Sequence, residues 1–312
     1  MAERTDGTGA ATTEATAAAA TGAAMGAAPG PRPVGVRVAA RGPAHDLRAV
    51  KVVLHREMLR FVNDRTRMAS MLLQPVLWLF VMGTGLGSLV KNSIPGVDFR
   101  TFMYPGMISM TVIMTGMFSA GSIVWDREFG FLREMLVAPV SRGAIVVGKC
   151  LGGALVATGQ GVVILAMAGL VGVPYAPSLM LTLLAEMFLA AFTITAFGVT
   201  LAARMRNMQT FFGLMQMAIM PMMFLSGAMF PLAGLPSWLH LLTVVNPMTY
   251  AVDPMRQAVF AHLDVAPQAE AVLNPGVRWG SFEVPVALEA GLVAALGAVL
   301  LGVAIAQFKR AD

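Results

Sequence analysis

The side chains able to do chemistry are few in this chain and mostly stand apart from one another. Its histidines are His45, His55, His240 and His262. None lies in a long apolar run, and none forms an HExxH pair, the spacing that sets two imidazoles on one helical face to grip zinc. The single cysteine, Cys150, rules out an internal disulfide and a cysteine-built metal cluster. No serine or cysteine has a base partner at a spacing that would activate it. Gly143-Ala-Ile-Val-Val-Gly148-Lys149-Cys150 nearly matches the phosphate loop GxxxxGK[ST]. Cys150 stands where a hydroxyl should bind Mg²⁺, and the segment opens an apolar helix instead of joining a strand to one. Consecutive helical amides cannot form the nest that cradles phosphate, so the chain has no nucleotide site of its own in this reading. Two carboxylates remain, Glu186 deep inside an apolar run and Glu289 near the end of another.

The elements that must position these groups belong to a membrane protein. Residues of the apolar set make up 57% of the 312, charged residues 12%, and mean hydropathy is +0.71. Soluble domains carry roughly 45–50% apolar and about 25% charged residues, so this chain lacks the polar surface to cover a water-soluble globule. Six runs are long enough to cross about 30 Å of hydrocarbon: Met68–Val90, Phe102–Val124, Ala144–Gly172, Leu179–Ala203, Met208–Phe230 and Val286–Phe308. Of the 22 Lys and Arg, eighteen fall on one side of this arrangement and four on the other. The positive-inside rule then puts both termini in the cytoplasm. The basic excess is topogenic and argues against a nucleic-acid partner. Lys149 reads as a lysine snorkelling to the cytoplasmic membrane edge. Glu186 becomes the candidate intramembrane polar site, either a proton relay or a hydrogen-bonding group between helices.

Outside the spans, residues 1–44 are an Ala, Thr, Gly and Pro-rich tail too weakly apolar to order itself, and 45–312 form the membrane domain. From Asp46, Leu47, Val50, Leu54, Met58 and Phe61 recur on one helical face, with basic residues mostly off it, as in a helix lying in the headgroup plane. Between the last two spans, Pro231, Pro236, Pro247 and Pro254 punctuate two runs too short to cross, Trp238–Val245 and Thr249–Phe260. These read as external re-entrant or interfacial helices, which need shelter from protein or a cavity. Gly83-x-x-x-Gly87 and Gly148-x-x-x-Gly152 allow close helix approach. Twenty-five methionines, several crowded into the fifth span, suit either a surface that adapts to varied apolar ligands or lipid-facing filler. Gln74, Gln216, Met220 and Ser226 are the candidates to face a path between the helices.

The most informative segment joins the second and third spans. In Trp125-Asp126-Arg127-Glu128-Phe129-Gly130-Phe131-Leu132-Arg133-Glu134-Met135-Leu136-Val137-Ala138-Pro139, the residues Phe129, Leu132 and Leu136 share a stripe with Phe131 and Met135 beside it. Alternating charges cover the rest, and such an exposed amphipathic helix wants a groove on a partner. The run from Arg127 to Arg142, followed by Gly148-Lys149, resembles the signature of type-2 ATP-binding-cassette exporter permeases, nearest to actinobacterial daunorubicin-resistance-type permeases. Pro236-Ser-Trp238 and Asn246-Pro247-Met-Thr-Tyr250 resemble that family's segment before its last span, and the likeness extends from about Asp46 to Arg310.

The resemblance implies an all-α polytopic membrane fold of six transmembrane helices. To these it adds an N-terminal amphipathic connecting helix over 46–63, a cytoplasmic coupling helix over 126–137 and external re-entrant helices over 231–260. It implies two permease copies, identical or not, working with a separate ATPase subunit that carries ATP and Mg²⁺, so that this chain binds no cofactor. Arg127, Glu128, Phe129, Phe131, Leu132, Arg133, Glu134 and Leu136 would dock that subunit. A hydrophobic drug or antibiotic fits as cargo, expelled across a bacterial cell membrane among lipids; lipid-linked polysaccharide or lipid is the alternative. An ion-coupled secondary transporter or a membrane enzyme fits less well, because neither internal repeats nor a catalytic constellation is evident.

Overall fold

The computed structural model describes residues 43–90, 98–130 and 140–310. Helix α1 (Pro43–Asn63) stops at Asp64, whose carboxylate accepts from the Arg67 amide and so caps α2 (Arg65–Leu77). A π-helical turn at Trp78–Met82, just past Pro75, leads into α3 (Gly83–Val90) without a break in the span. Helix α4 (Phe99–Glu128) is capped by Asp98, and α5 (Arg142–Leu165) by Ser141, whose hydroxyl accepts from the Ala144 amide. Helices α6 (Pro177–Ala202) and α7 (Met208–Leu225) follow, the second capped by the Asn207 side chain. The short helices α8 (Ser237–Val245), α9 (Thr249–Phe260) and α10 (Pro267–Leu273) come next. A two-residue hairpin, β1 (Arg278–Trp279) with β2 (Phe282–Glu283), pairs Arg278 with Glu283 ahead of α11 (Val286–Arg310).

Among the described residues, six helical stretches are long and apolar enough to cross a membrane, and they coincide in order with the six expected spans. The fold is that of an all-α polytopic membrane protein. The third span ends earlier than its apolar run, at Leu165 and not Gly172. There the chain tightens into a 3₁₀ turn, Ala168–Val171, closed by Gly172 at φ +78°. Tyr175 pins this turn, its hydroxyl donating to the Ala166 carbonyl and accepting from the Gly169 amide. The fifth span likewise stops at Leu225, short of Phe230, where Gly227 takes φ +76°. Both short helices expected between the last spans are present as α8 and α9.

Burial sorts the spans. In α4, 83% of the apolar window is enclosed by the rest of the chain, against 17% for the first span and 22% each for α7 and α11. Helices α4, α5 and α6 pack on one another, α11 lies against α6 and α5, and α1 runs along α5. Small residues permit the closest approaches. A Cβ on Gly106 of α4 would collide with the backbone carbonyl of Ala228, and one on Gly297 of α11 would meet the Thr193 hydroxyl of α6. Hydroxyls inside the bundle are spent on carbonyls: Thr111 and Ser109 turn back on their own helix, while Thr193 and Thr200 donate across to Val293 and Leu300. No polar backbone or hydroxyl is thereby left facing hydrocarbon at these positions.

Candidate functional site

One end of the bundle gathers the α1 helix, the C-termini of α4, α6 and α11, and the N-termini of α5 and α7. It is the end that bears the basic excess. Lys149 lies here, and the structure corrects its reading as a snorkelling side chain: it is 3% exposed. Its ammonium donates to Glu57 Oε1 at 2.6 Å, to Asp126 Oδ2 at 2.7 Å and to Ser122 Oγ at 2.9 Å. Asp126 is buried too, and accepts a further bond from the half-exposed Arg56 at 2.8 Å. Three acceptors converge where an ammonium has three protons to give, and α1, α4 and α5 are joined through one nitrogen. The backbone allows it because Gly148 and Gly152 are bare. A Cβ at Gly148 would stand 2.9 Å from Val53 Cβ, and one at Gly152 3.1 Å from Glu57 Cβ. The Gly148-x-x-x-Gly152 motif thus seats α1, and Val50 and Leu54 lie against α5 where headgroups were expected.

Helix α4 continues through Trp125 and Asp126 to Glu128, so the expected separate helix does not begin at Asp126. Arg127 extends its guanidinium to three carbonyls at the end of α6, those of Ala202, Ala203 and Met205, the last at 2.7 Å. Glu128 Oε2 accepts from the Met208 amide at 3.3 Å, at the first turn of α7. Both charges therefore help hold the α6–α7 turn, a role that local sequence does not advertise. Arg142 closes the same end by donating to the Phe308 carbonyl of α11. Phe129 is 59% exposed and its ring lies 5.0 Å from that of Trp125, itself 42% exposed, with the Arg60 guanidinium over Trp125. An outward-facing aromatic pair thus terminates α4. Phe131, Leu132, Arg133, Glu134 and Leu136 lie outside the described residues.

From this end a groove runs along α4 between α2 and α7. The part nearest this end, a cavity of about 440 Å³, is bordered by Glu57, Arg67, Met71, Phe118, Ser122 and Phe212. A second cavity of about 350 Å³ shares Arg67, Met71 and Phe118 and adds Gln74, Ser70 and Met114. The Arg67 guanidinium sits 5.3 Å from the Phe118 ring centre, a cation–π contact. Of the four candidate path residues, Gln74 is thus on the groove wall. Gln216 and Met220 are exposed on α7, continuing at four-residue steps the row of Met208 and Phe212 that borders the groove. Ser226 is not exposed: at 1% accessibility its hydroxyl donates to the Met223 carbonyl and accepts from the Ala228 amide, closing α7. Arg67 and Ser70, at three- and four-residue steps before Gln74, are the polar row that the sequence offered and its reading missed.

At the opposite end, α9 is sheltered against α4, α6 and α11. Arg256 is 1% exposed, packs its guanidinium 4.6 Å from the Phe102 ring centre and donates to the Gly227 carbonyl. Burial lowers its guanidinium to about 10. Asp253, one turn earlier, accepts from Gln257 at 2.6 Å, and burial lifts its carboxyl above the usual range against the pull of Arg256. Trp279 of the hairpin donates to the Tyr250 hydroxyl at 2.7 Å, laying the hairpin over α9. Glu289 lies at 0% exposure on α11 with no N–H or hydroxyl among the described residues donating to either carboxyl oxygen, and Glu186 is half-buried on α6.

Among the described residues, no group of His, Cys, Asp and Glu is placed to hold a metal ion.

Comparison with known proteins agrees with this architecture. A family model described as ABC-2 type transporter matches residues 48–260. A putative transport permease ycf38 of Cyanophora paradoxa is 29% identical over 210 residues, 66% of this chain and 72% of that protein. A probable multidrug ABC transporter permease YbhR of Escherichia coli is 30% identical over 175 residues, 55% of this chain and 47% of that protein, so the match spans about half of YbhR. Nodulation protein J of Rhizobium leguminosarum bv. viciae is 29% identical over 211 residues, 66% and 78% of the two chains. With six apolar helices in the described residues and a family match over more than half its length, the chain belongs to the ABC-2 type transporter family, as a multi-pass membrane permease.

Proposed function

We propose that this permease is half of an ATP-driven exporter that moves a hydrophobic drug or antibiotic out of a bacterial cell, with ATP and Mg²⁺ held by a separate ATPase subunit. The observation that carries this reading is the continuity between the exposed Trp125–Phe129 pair, the Lys149 ion cluster and the groove along α4. Force applied where α4 emerges would reach Asp126 within one turn and pass through Lys149 to α5 and to α1. The groove begins at those same residues, since Glu57, Ser122 and Trp125 border it. Its lining sets Phe, Met and Val beside the charged Glu57, Arg60, Asp64 and Arg67 and several hydroxyls, which suits an amphipathic cargo with an aromatic part. The multidrug name of YbhR supports the same cargo class; the daunorubicin-type subgroup remains part of this proposal.

In this reading the basic end is cytoplasmic, with both termini there, and residues 1–44 form a tail outside the permease domain. Leu73, Leu77 and Val81 of the first span and Leu214 and Met217 of α7 face away from the chain. They supply the surface for lipid and for a second permease copy across the groove, with Gln74, Gln216 and Met220 lining the path between. Arg127, Glu128 and Phe129, continued by Phe131, Leu132, Arg133, Glu134 and Leu136, present the docking surface. Glu128 has a double duty, since its tie to the Met208 amide also steadies α7.

The test is mild-detergent purification from native membranes followed by transport in sealed vesicles. A near-stoichiometric ATPase should copurify, Leu132→Asp should release it, and Glu128→Lys should abolish ATP-dependent efflux of a hydrophobic dye while the protein still inserts. Efflux that survives ATP depletion but stops when the proton gradient is collapsed overturns the reading. Efflux of a lipid-linked glycan and not of the dye replaces the cargo while keeping the mechanism.

A further inference from the structure

The groups around Glu289 do not balance in charge. Its carboxyl is fully enclosed, and among the described residues no N–H or hydroxyl donates to either oxygen, while the Asp253 carboxyl lies within hydrogen-bond range of it. The charged and titratable groups acting on it are Asp253 and Tyr250 of α9 and Glu186 of α6. Among the described residues, the cation that acts on this pair is Arg256, which acts on Asp253 and is committed to the Gly227 carbonyl and the face of Phe102. Asp253 is 2% exposed and already accepts from Gln257. Two enclosed carboxylates beside one engaged guanidinium, with a third carboxylate near, cannot all be ionised at tolerable cost. When carboxyls crowd like this, one proton shared between two of them relieves both the desolvation and the repulsion. A proton needs no ligand beyond the two carboxyls themselves, so it is the ligand that fits this pair.

We propose that Glu289 and Asp253 form a buried proton-binding site, holding one proton between a carboxyl on α11 and a carboxyl on α9. The site sits where a short sheltered helix meets a spanning one, so the bound proton is the bond between them. When α9 and α11 are together, a protonated Glu289 can donate to Asp253, and the pair carries one negative charge that Arg256 offsets. When they part and water enters, the proton leaves to solvent and both carboxylates ionise. Each closing of this contact takes one proton up, and each opening returns it. The proposal concerns the helix contact and stands whether or not the cargo and ATPase reading is correct.

Infrared spectroscopy of the whole protein in lipid nanodiscs tests it, in a Glu186→Gln background so that this neighbour contributes no carboxyl. At neutral pH the expected spectrum has a protonated-carboxyl stretch that disappears in E289Q and shifts in D253N. Loss of an ionised-carboxylate band in E289Q, with no protonated carboxyl lost, overturns the site. A band that E289Q removes and D253N leaves unmoved overturns the sharing. A carboxyl band seen only when sodium is withheld assigns a bound cation in the proton's place and overturns it as well. Should E289Q fail to accumulate, ¹³C-glutamate labelling of the E186Q protein gives the same reading, since fully ionised glutamates at neutral pH refute it.

Discussion

The two ends of the bundle bury charge in opposite ways. At the basic end Lys149, Glu57, Asp126 and Arg56 are matched in number and joined by short bonds, with Ser122 completing the shell. At the other end, among the described residues, Glu289 and Asp253 share one arginine whose guanidinium is already engaged by a carbonyl and a ring. A matched cluster fixes geometry, because any member removed leaves another stranded. A mismatched one responds, because its charge depends on what it binds. The first suits a rigid joint that transmits movement, and the second suits a contact that opens and closes.

The largest effect should come from unmatching the first cluster. Lys149→Met takes from the enclosed Glu57 its closest cation and leaves Asp126 to the half-exposed Arg56, and should cost about 3–5 kcal/mol in denaturant unfolding from lipid. If K149M unfolds with the wild-type midpoint, the joint is wetter than its geometry implies and the contrast with the far end collapses. Gly148→Val acts on the same joint by shape: the new side chain strikes Val53 and should cost roughly 1–3 kcal/mol while tilting α1 off α5. Loss of a cysteine crosslink engineered between α1 and α5 would report that tilt.

At the far end the signature is pH. Because burial holds the Asp253 carboxyl above its usual range, its contribution to stability is fully present below the unfolded value of about 3.9 and is lost as pH rises toward the folded one. Melting temperature in nanodiscs should therefore fall on going from acid to neutral pH, and D253N should flatten that slope. A D253N slope equal to that of wild type would remove the far end's claim to be the responsive one. The smallest change in stability belongs to Phe129→Ala, within about 0.5 kcal/mol for so exposed a side chain. Its readout is loss of ATPase copurification, and an unchanged yield would move the docking surface away from α4.

Much of the fold was legible because a membrane imposes its own arithmetic. A run of some twenty apolar residues has few alternatives, so six spans and two short helices could be placed from hydropathy and proline alone. What escaped was set at long range. Nothing near Lys149 reveals Glu57, 92 positions earlier, so a lysine at a helix start reads as a snorkelling one. Asp126 and Arg127 look alike in a charged loop, yet one is enclosed and the other reaches across to the α6 carbonyls. The ends of the third and fifth spans depended on Tyr175 and on the conformations of Gly172 and Gly227, which hydropathy cannot sense. Of the candidate path, Gln74 stood on the groove and Ser226 was consumed as a cap, because a hydroxyl in a helix serves its own carbonyls as readily as a solute.

The seat of α1 on α5 also has a bearing on how the protein is made. Glu57 is joined to the growing chain 92 residues before Lys149. At about 5–20 residues per second this is a wait of roughly 5–20 s. Throughout it α1 has neither the bare glycine face of α5 to lie on nor a cation for its carboxylate. Its amphipathic face is suited to pass that interval at the lipid headgroups. The surface helix suggested by its sequence and the docked helix of the finished fold are then the same segment at two times in its synthesis.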